Sequence, residues 1–196
     1  MTTPPYTLSF TVGGLFLFEG IALARLKAEG SPWAEVRQAA PDGVFVAQGG
    51  ASSVKRIRNE VVGRLTKLTD PEIVHLAGAG MTDARALMWV AACRKYRILA
   101  EFAREVLDER LRTYQPEIRV SDFDALLDAK GVVADEISRI SPSTRTRLRS
   151  VAFRMLREAE LIDAENRVCA PRLSGALRDL LAADPGSGLN LIPGGG

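Results

Sequence analysis

The chain has 196 residues, 46% of them hydrophobic and 26% charged, with a formal net charge of +2. This is ordinary for a soluble globular protein with one large or two small domains, and the near-zero net charge does not mark a polyanion binder by bulk charge alone. Two cysteines and one histidine are too few for a disulfide framework or a zinc site, so no metal or cofactor is expected and a reducing cytoplasm fits.

Leu8 to Ala24 is apolar enough to resemble a signal peptide or a membrane span. Met1–Thr7 carries no basic side chain, Glu19 interrupts the run, and a span needs about 20 apolar residues. The reading is a buried helix from about Gly14 to Glu29, with no membrane role. Gly30-Ser31-Pro32 then starts a second helix over Trp33 to Ala40. Pro41 to Gly50 reads as a loop. Ser52 to Leu68 is amphipathic, with Val54, Ile57, Val61 and Leu65 on one face. Thr69-Asp70-Pro71-Glu72 is a capping-box start for a short helix. A long helical stretch follows from Thr82 or Asp83 to about Tyr114, bent or broken once. Its middle, Leu87 to Cys93, is apolar nearly all round and marks the core.

The last third has a different pattern. Ser121 to Lys130 and Ala134 to Ile140 are short helices, and Pro142 to about Ala159 is a longer one, capped by Ser141. Leu161 to Val168 alternates around a turn, Arg172 to Ala183 is a final helix, and residues 184–196 are Gly/Pro-rich and expected to be a flexible tail. Helix, helix, turn, arginine-rich helix and hairpin is the order of a winged helix-turn-helix.

Charge is segregated along the chain. Glu101 to Glu136 holds ten acids against five bases, whereas Ile137 to Arg157 holds six arginines and no carboxylate. Arg145, Arg147 and Arg149 lie in the first turns of their helix, the end where the helix dipole disfavours cations. That placement points to an external anion, with nucleic-acid phosphate the first candidate and Arg154 a further contact. The bland alternative is a solvated face pairing with the acidic segment before it. A second candidate anion site is Ser52, Ser53, Lys55, Arg56 and Arg58, against the alternative of a plainly capped amphipathic helix. A third is Arg94, Lys95 and Arg97 around Tyr96, against the alternative of a core tyrosine whose neighbours pair with Glu101. His75 reads as structural. Phosphate-loop and nucleotide fingerprints are absent, and no catalytic constellation is present, so the chain is not expected to be an enzyme.

The residues Trp33-Ala34-Glu35-Val36-Arg37, Ala51 to Glu60 with Arg64-Leu65, Leu87 to Tyr96, Glu101-Phe102-Ala103, Ser143-Thr144-Arg145 and Phe153 to Ala159 resemble the BrxA family of BREX bacteriophage-exclusion systems. The resemblance runs in order over about Leu15 to Leu181. It implies a small, helix-rich, cytoplasmic accessory protein of phage defence, similar in part to NusB-like RNA-binding proteins and associated with an electropositive DNA-binding groove.

The combined expectation is a mainly α protein. Residues 1–118 would form an N-terminal helical bundle, partly NusB-like. Residues 119–183 would form a winged helix-turn-helix-like region with a small β-hairpin, followed by the tail. The expected function is non-catalytic gripping of duplex DNA phosphates in a basic groove. The alternatives are a protein-interaction adaptor within the defence complex or an RNA-binding NusB-like module. Expected partners are double-stranded DNA, or RNA, and other BREX proteins, with no small-molecule substrate.

Overall fold

The structure, a computed structural model, describes residues 5–11, 13–39, 44–45, 51–184 and 188–195. It is mainly helical, with almost no strand among the described residues. The first half comprises α1 (Leu17–Ala28), α2 (Trp33–Val36), α3 (Ala51–Leu65), α4 (Asp70–Gly78) and α5 (Met81–Lys95). The expected loop at Pro41–Gly50 falls mostly outside the described residues. From Ala86 to Cys93 every side chain of α5 is buried, and α1, α3 and α4 pack around it. A helix apolar on all sides has no face to offer water, which is why this run takes the centre. Upstream, the Thr69 side chain accepts from the Glu72 amide while Glu72 accepts from the Thr69 amide, the reciprocal pair expected of the capping box.

The long helical stretch breaks at Tyr96, whose φ of −118° and ψ of 94° are extended. It resumes as α6 (Arg97–Phe102), passes through a π-helical turn over Ala103–Leu107 and ends as α7 (Asp108–Arg112). One break was expected; the π turn adds a second irregularity. Tertiary packing accounts for the break. The Tyr96 ring is fully buried against Phe10 at 4.9 Å between centroids, and its hydroxyl donates to Glu60 at 2.6 Å.

The last third comprises α8 (Val120–Gly131), α9 (Asp135–Ser138), α10 (Pro142–Glu158) and α11 (Gly175–Ala183). Phe102 of α6 meets Phe123 of α8 edge-on at 5.0 Å and Phe153 of α10 at 6.3 Å. One buried apolar cluster therefore continues from the α5 region across residue 118 into α8–α10. The expected hairpin over Leu161–Val168 is reduced to an isolated antiparallel bridge, Ile162 with Val168, beside a second bridge from Glu117 to Arg167. Its turn is set locally. The Asp163 carboxylate accepts from the amides of Glu165 and Arg167, and Asn166 takes a left-handed φ of 59°.

Residues 184–196 were expected to be a flexible tail. Among the described residues, Gly188–Leu191 instead form a 3₁₀ turn, and Leu191 and Ile192 are buried. The Trp89 indole N–H donates to the Leu191 carbonyl at 2.8 Å. Three apolar side chains in the stretch 189–192 supply the burial that its glycine and proline content does not foretell.

At the other end of the chain, the Tyr6 amide donates to Glu136 at 2.6 Å, and its hydroxyl donates to Glu101 at 2.7 Å beneath the Arg97 guanidinium. Burial and the Glu101 bond push the hydroxyl up to about 12, so it stays protonated and donating. The Leu15 amide donates to Glu158 at the end of α10. No helix among the described residues is long and apolar enough to cross a membrane; α1, for example, is about 18 Å long, against a hydrocarbon core of about 30 Å.

Buried and half-buried carboxylates hold the helices together. Burial pushes Glu60, Glu72 and Asp83 up, but their partners outweigh it: Arg64, Lys95 and Tyr96 for Glu60, Arg94 and the Thr69 amide for Glu72, and Ser174 with His75 for Asp83. All three therefore sit below their ordinary values. A depressed carboxylate contributes stability above its unfolded value and loses it as pH falls through the folded one. Melting temperature should be level from pH 7 to about 5 and fall below about pH 4. An unchanged melting temperature across that range, followed by circular dichroism, would contradict this assignment.

Candidate nucleic-acid interface

The arginine-rich helix α10 begins as its sequence dictates: the Ser141 hydroxyl accepts from the Thr144 amide and Pro142 occupies the first turn. Leu148, Val151, Ala152, Met155 and Leu156 are buried and fix which way the helix faces. The arginines then divide into two edges. Arg145 pairs with Asp128 at 2.6 Å, and Arg149 pairs with Asp124, both acids lying on α8. This is the pairing with the preceding acidic segment that the bland reading describes. On the other edge Arg147 and Arg154 are exposed and in no ion pair among the described residues. Ser150 lies exposed between them. Seven residues separate the two arginines, two turns or about 10 Å along the axis. Arg157 donates to Asn166 and lies over the Phe153 ring.

On α3, Ser52 and Ser53 stand within the helix, which begins at Ala51, rather than before it. Lys55 and Arg56 are exposed, again with no ion pair among the described residues. Arg58 turns back to the carbonyls of Gln38 and Ala39. Ser52, Lys55 and Arg56 are brought together around a recess of about 500 Å³ that Ser9, Asn59 and Glu60 complete. The sequence reading missed Ser9 and Asn59. Helical spacing from Ser52 at i+3, i+4 and i+7 finds Lys55, Arg56 and Asn59, but nothing local points to Ser9.

The third basic segment is engaged internally. Arg94 makes a two-pronged bond to Glu72 at 2.6 and 2.8 Å and reaches Asp184 at 3.0 Å. Lys95 pairs with Glu60 at 2.6 Å. Arg97 pairs with Glu101 at 2.8 Å and lies over the Tyr6 ring. Tyr96 has no exposed face on which a base could stack. The two other basic helices are linked at their C-terminal ends through one backbone segment. Arg64 of α3 donates to the Gly14 and Leu15 carbonyls, and Glu158 of α10 accepts from the Leu15 amide.

His75 lies 2.8 Å from Asp83, and the Ser174 hydroxyl and amide both donate to that carboxylate. Asp83 therefore stands between histidine and serine and ties α4, α5 and α11 together. A nucleophile–base pair would place the serine on the imidazole instead. Among the described residues, no group of histidine, cysteine and carboxylate side chains could hold a metal ion.

A mainly helical protein with an arginine edge and a basic recess is the class that these features define. A solved structure of an uncharacterized protein from Magnetospirillum magneticum shares the fold, with a TM-score of 0.73 and 21% identity over 91% of this chain and 92% of that one. No curated protein matches. The BrxA family model matches residues 4–184, nearly the whole chain, and the chain belongs to that family. Membership associates it with BREX phage defence.

Proposed function

We propose that this protein is a non-catalytic DNA-binding accessory component of a BREX system and grips duplex phosphates through the open edge of α10. The observation that carries this is the exposed Arg147–Ser150–Arg154 edge, on a helix that holds no carboxylate before Glu158. Arginine presents a planar fork to phosphate, and an arginine without an internal partner needs no ion pair broken before it binds. The order α8, α9, α10 and bridged turn supports a winged helix-turn-helix reading, in which α10 is the element offered to the groove. The turn contributes little positive charge, because Arg167 is paired with Asp163 and Glu165.

Arg147→Glu combined with Arg154→Glu tests this in mobility shifts across a salt series. The double variant should bind duplex DNA at least tenfold more weakly, with a salt slope shallower by about 2, one counterion release for each phosphate no longer neutralised. Its melting temperature should match the wild type. Unchanged affinity would overturn the assignment. Arg145 and Arg149 are unsuited to this test, since reversing either breaks its pair with α8. Competition by structured RNA, or co-purified BREX proteins with no DNA affinity, would point to the RNA-binding or adaptor role instead.

A further inference from the structure

The recess beside α3 has a composition that the α10 edge does not share. Ser52, Lys55, Arg56 and Asn59 line it from one face of α3, and Ser9 lines it from the extended N-terminal segment. The one carboxylate among its described lining residues, Glu60, is already held by three donors. Oε1 accepts from Arg64 and from the Tyr96 hydroxyl, and Oε2 accepts from Lys95. Among the described residues that line the recess or pair with its lining, the cations Lys55, Arg56, Arg64 and Lys95 outnumber the one carboxylate, Glu60. Lys55 and Arg56 are free to turn inward, having no ion pair among the described residues.

The two ends of the recess along α3 differ in character. A carboxylate has about four lone-pair sites, and three of those on Glu60 are taken, so Oε2 keeps one open acceptor. The neighbouring Asn59 amide can both donate and accept. From Ser52 to Glu60 is eight residues, about 12 Å along the helix axis. The recess thus offers cations and a hydroxyl at one end and, at the other, the Asn59 amide beside an ionised carboxylate whose charge Arg64 and Lys95 balance, around a space of about 500 Å³.

We infer that this recess binds one nucleotide, its phosphate held by Ser52, Lys55 and Arg56 and its sugar or base facing Asn59 and Glu60. The nucleotide is either free or one unit of a single strand. The inference does not rest on the reading of α10.

Calorimetric titration of the full chain with inorganic phosphate, adenosine 5′-monophosphate and a five-nucleotide single-stranded oligodeoxynucleotide tests it. The organic probes should bind more tightly than inorganic phosphate, because only they are long enough to reach Asn59 and Glu60 as well. Binding of the monophosphate assigns a free nucleotide. Binding of the oligonucleotide with the monophosphate silent assigns a strand. Lys55→Ala with Arg56→Ala should lower the affinity for the binding probe at least tenfold, since two charge-assisted hydrogen bonds are removed, with no change in melting temperature. Asn59→Ala should weaken the organic probes and leave inorganic phosphate unaffected. Arg147→Glu with Arg154→Glu should leave this binding intact even though duplex affinity falls, so the two sites fail independently. The inference is overturned by silence with all three probes. It is equally overturned by organic probes no tighter than inorganic phosphate, or by binding indifferent to the Lys55 and Arg56 changes.

Discussion

Arg64→Ala is expected to destabilise the fold by about 3–5 kcal/mol, a drop in Tm of roughly 6–20 °C for a chain of this length. The Arg64 side chain is 0% exposed. Its guanidinium donates to Glu60 at 2.8 Å and to the Gly14 carbonyl at 2.9 Å, and it lies over the rings of Phe16 and Tyr96. Truncation would open a cavity, leave the Gly14 and Leu15 carbonyls without their donor, and leave Glu60 with Lys95 as its remaining cation. Arg64→Met separates these effects. It refills much of the volume but restores no donor, so it should recover only part of the loss. Urea and thermal unfolding of both variants measure this, and a cost below about 1 kcal/mol for alanine would rule out the buried network as a main support of the fold.

Glu72→Ala is the second large effect, also about 3–5 kcal/mol, because it removes a fully buried carboxylate that takes both prongs of the half-buried Arg94 and caps α4. Glu72 is 1% exposed and takes both prongs of Arg94 while capping α4 through the Thr69 amide at 2.7 Å. Arg94 goes on to Asp184, just beyond α11. The damage should therefore spread from α4 to the C-terminal segment. Hydrogen exchange should quicken in Asp70–Gly78 and Gly175–Ala183 while α10 keeps its protection. Glu72→Gln, which retains an acceptor for the Thr69 amide, should fall between wild type and alanine. The Glu72→Ala, Arg94→Ala double variant should cost less than the sum of its parts, since the second change removes a cation already deprived of Glu72. Additive costs would show that the two side chains are not coupled.

Local signals carried much of the helical architecture. The Thr69–Glu72 box, the Ser141–Pro142 start and the apolar run of α5 each act within a few residues, and each produces its element. The candidate interface was less legible, because ion pairs form between helices. The Ile137–Arg157 segment holds no carboxylate, but Asp124 and Asp128 stand beside Arg145 and Arg149 once α8 and α10 pack. For Arg94, Lys95 and Arg97 the alternative of a core tyrosine with paired neighbours describes the structure, but of the three only Arg97 takes Glu101; Arg94 finds Glu72 of α4 and Lys95 finds Glu60 of α3. The dipole argument singled out Arg145, Arg147 and Arg149 together. Helical spacing already sets Arg145 and Arg149 on one edge and Arg147 and Arg154 on the other; packing adds that α8 neutralises the first edge. Composition likewise misjudged residues 188–195, where the spacing of Leu189, Leu191 and Ile192 mattered more than glycine content.

The segment from Tyr6 to Leu15 binds to residues that lie far along the chain: Tyr6 to Glu136, 130 positions away, and Leu15 to Glu158, 143 positions away. A ribosome makes this segment long before it makes those partners. During synthesis Arg64, Tyr96 and Glu101 can reach the segment first, but the Tyr6 and Leu15 amides wait for their acceptors until α9 and α10 emerge. Closing such long loops is also the slow kind of contact formation. These two amide ties are thus among the later contacts to lock, and they cannot form before the arginine helix itself has been synthesised.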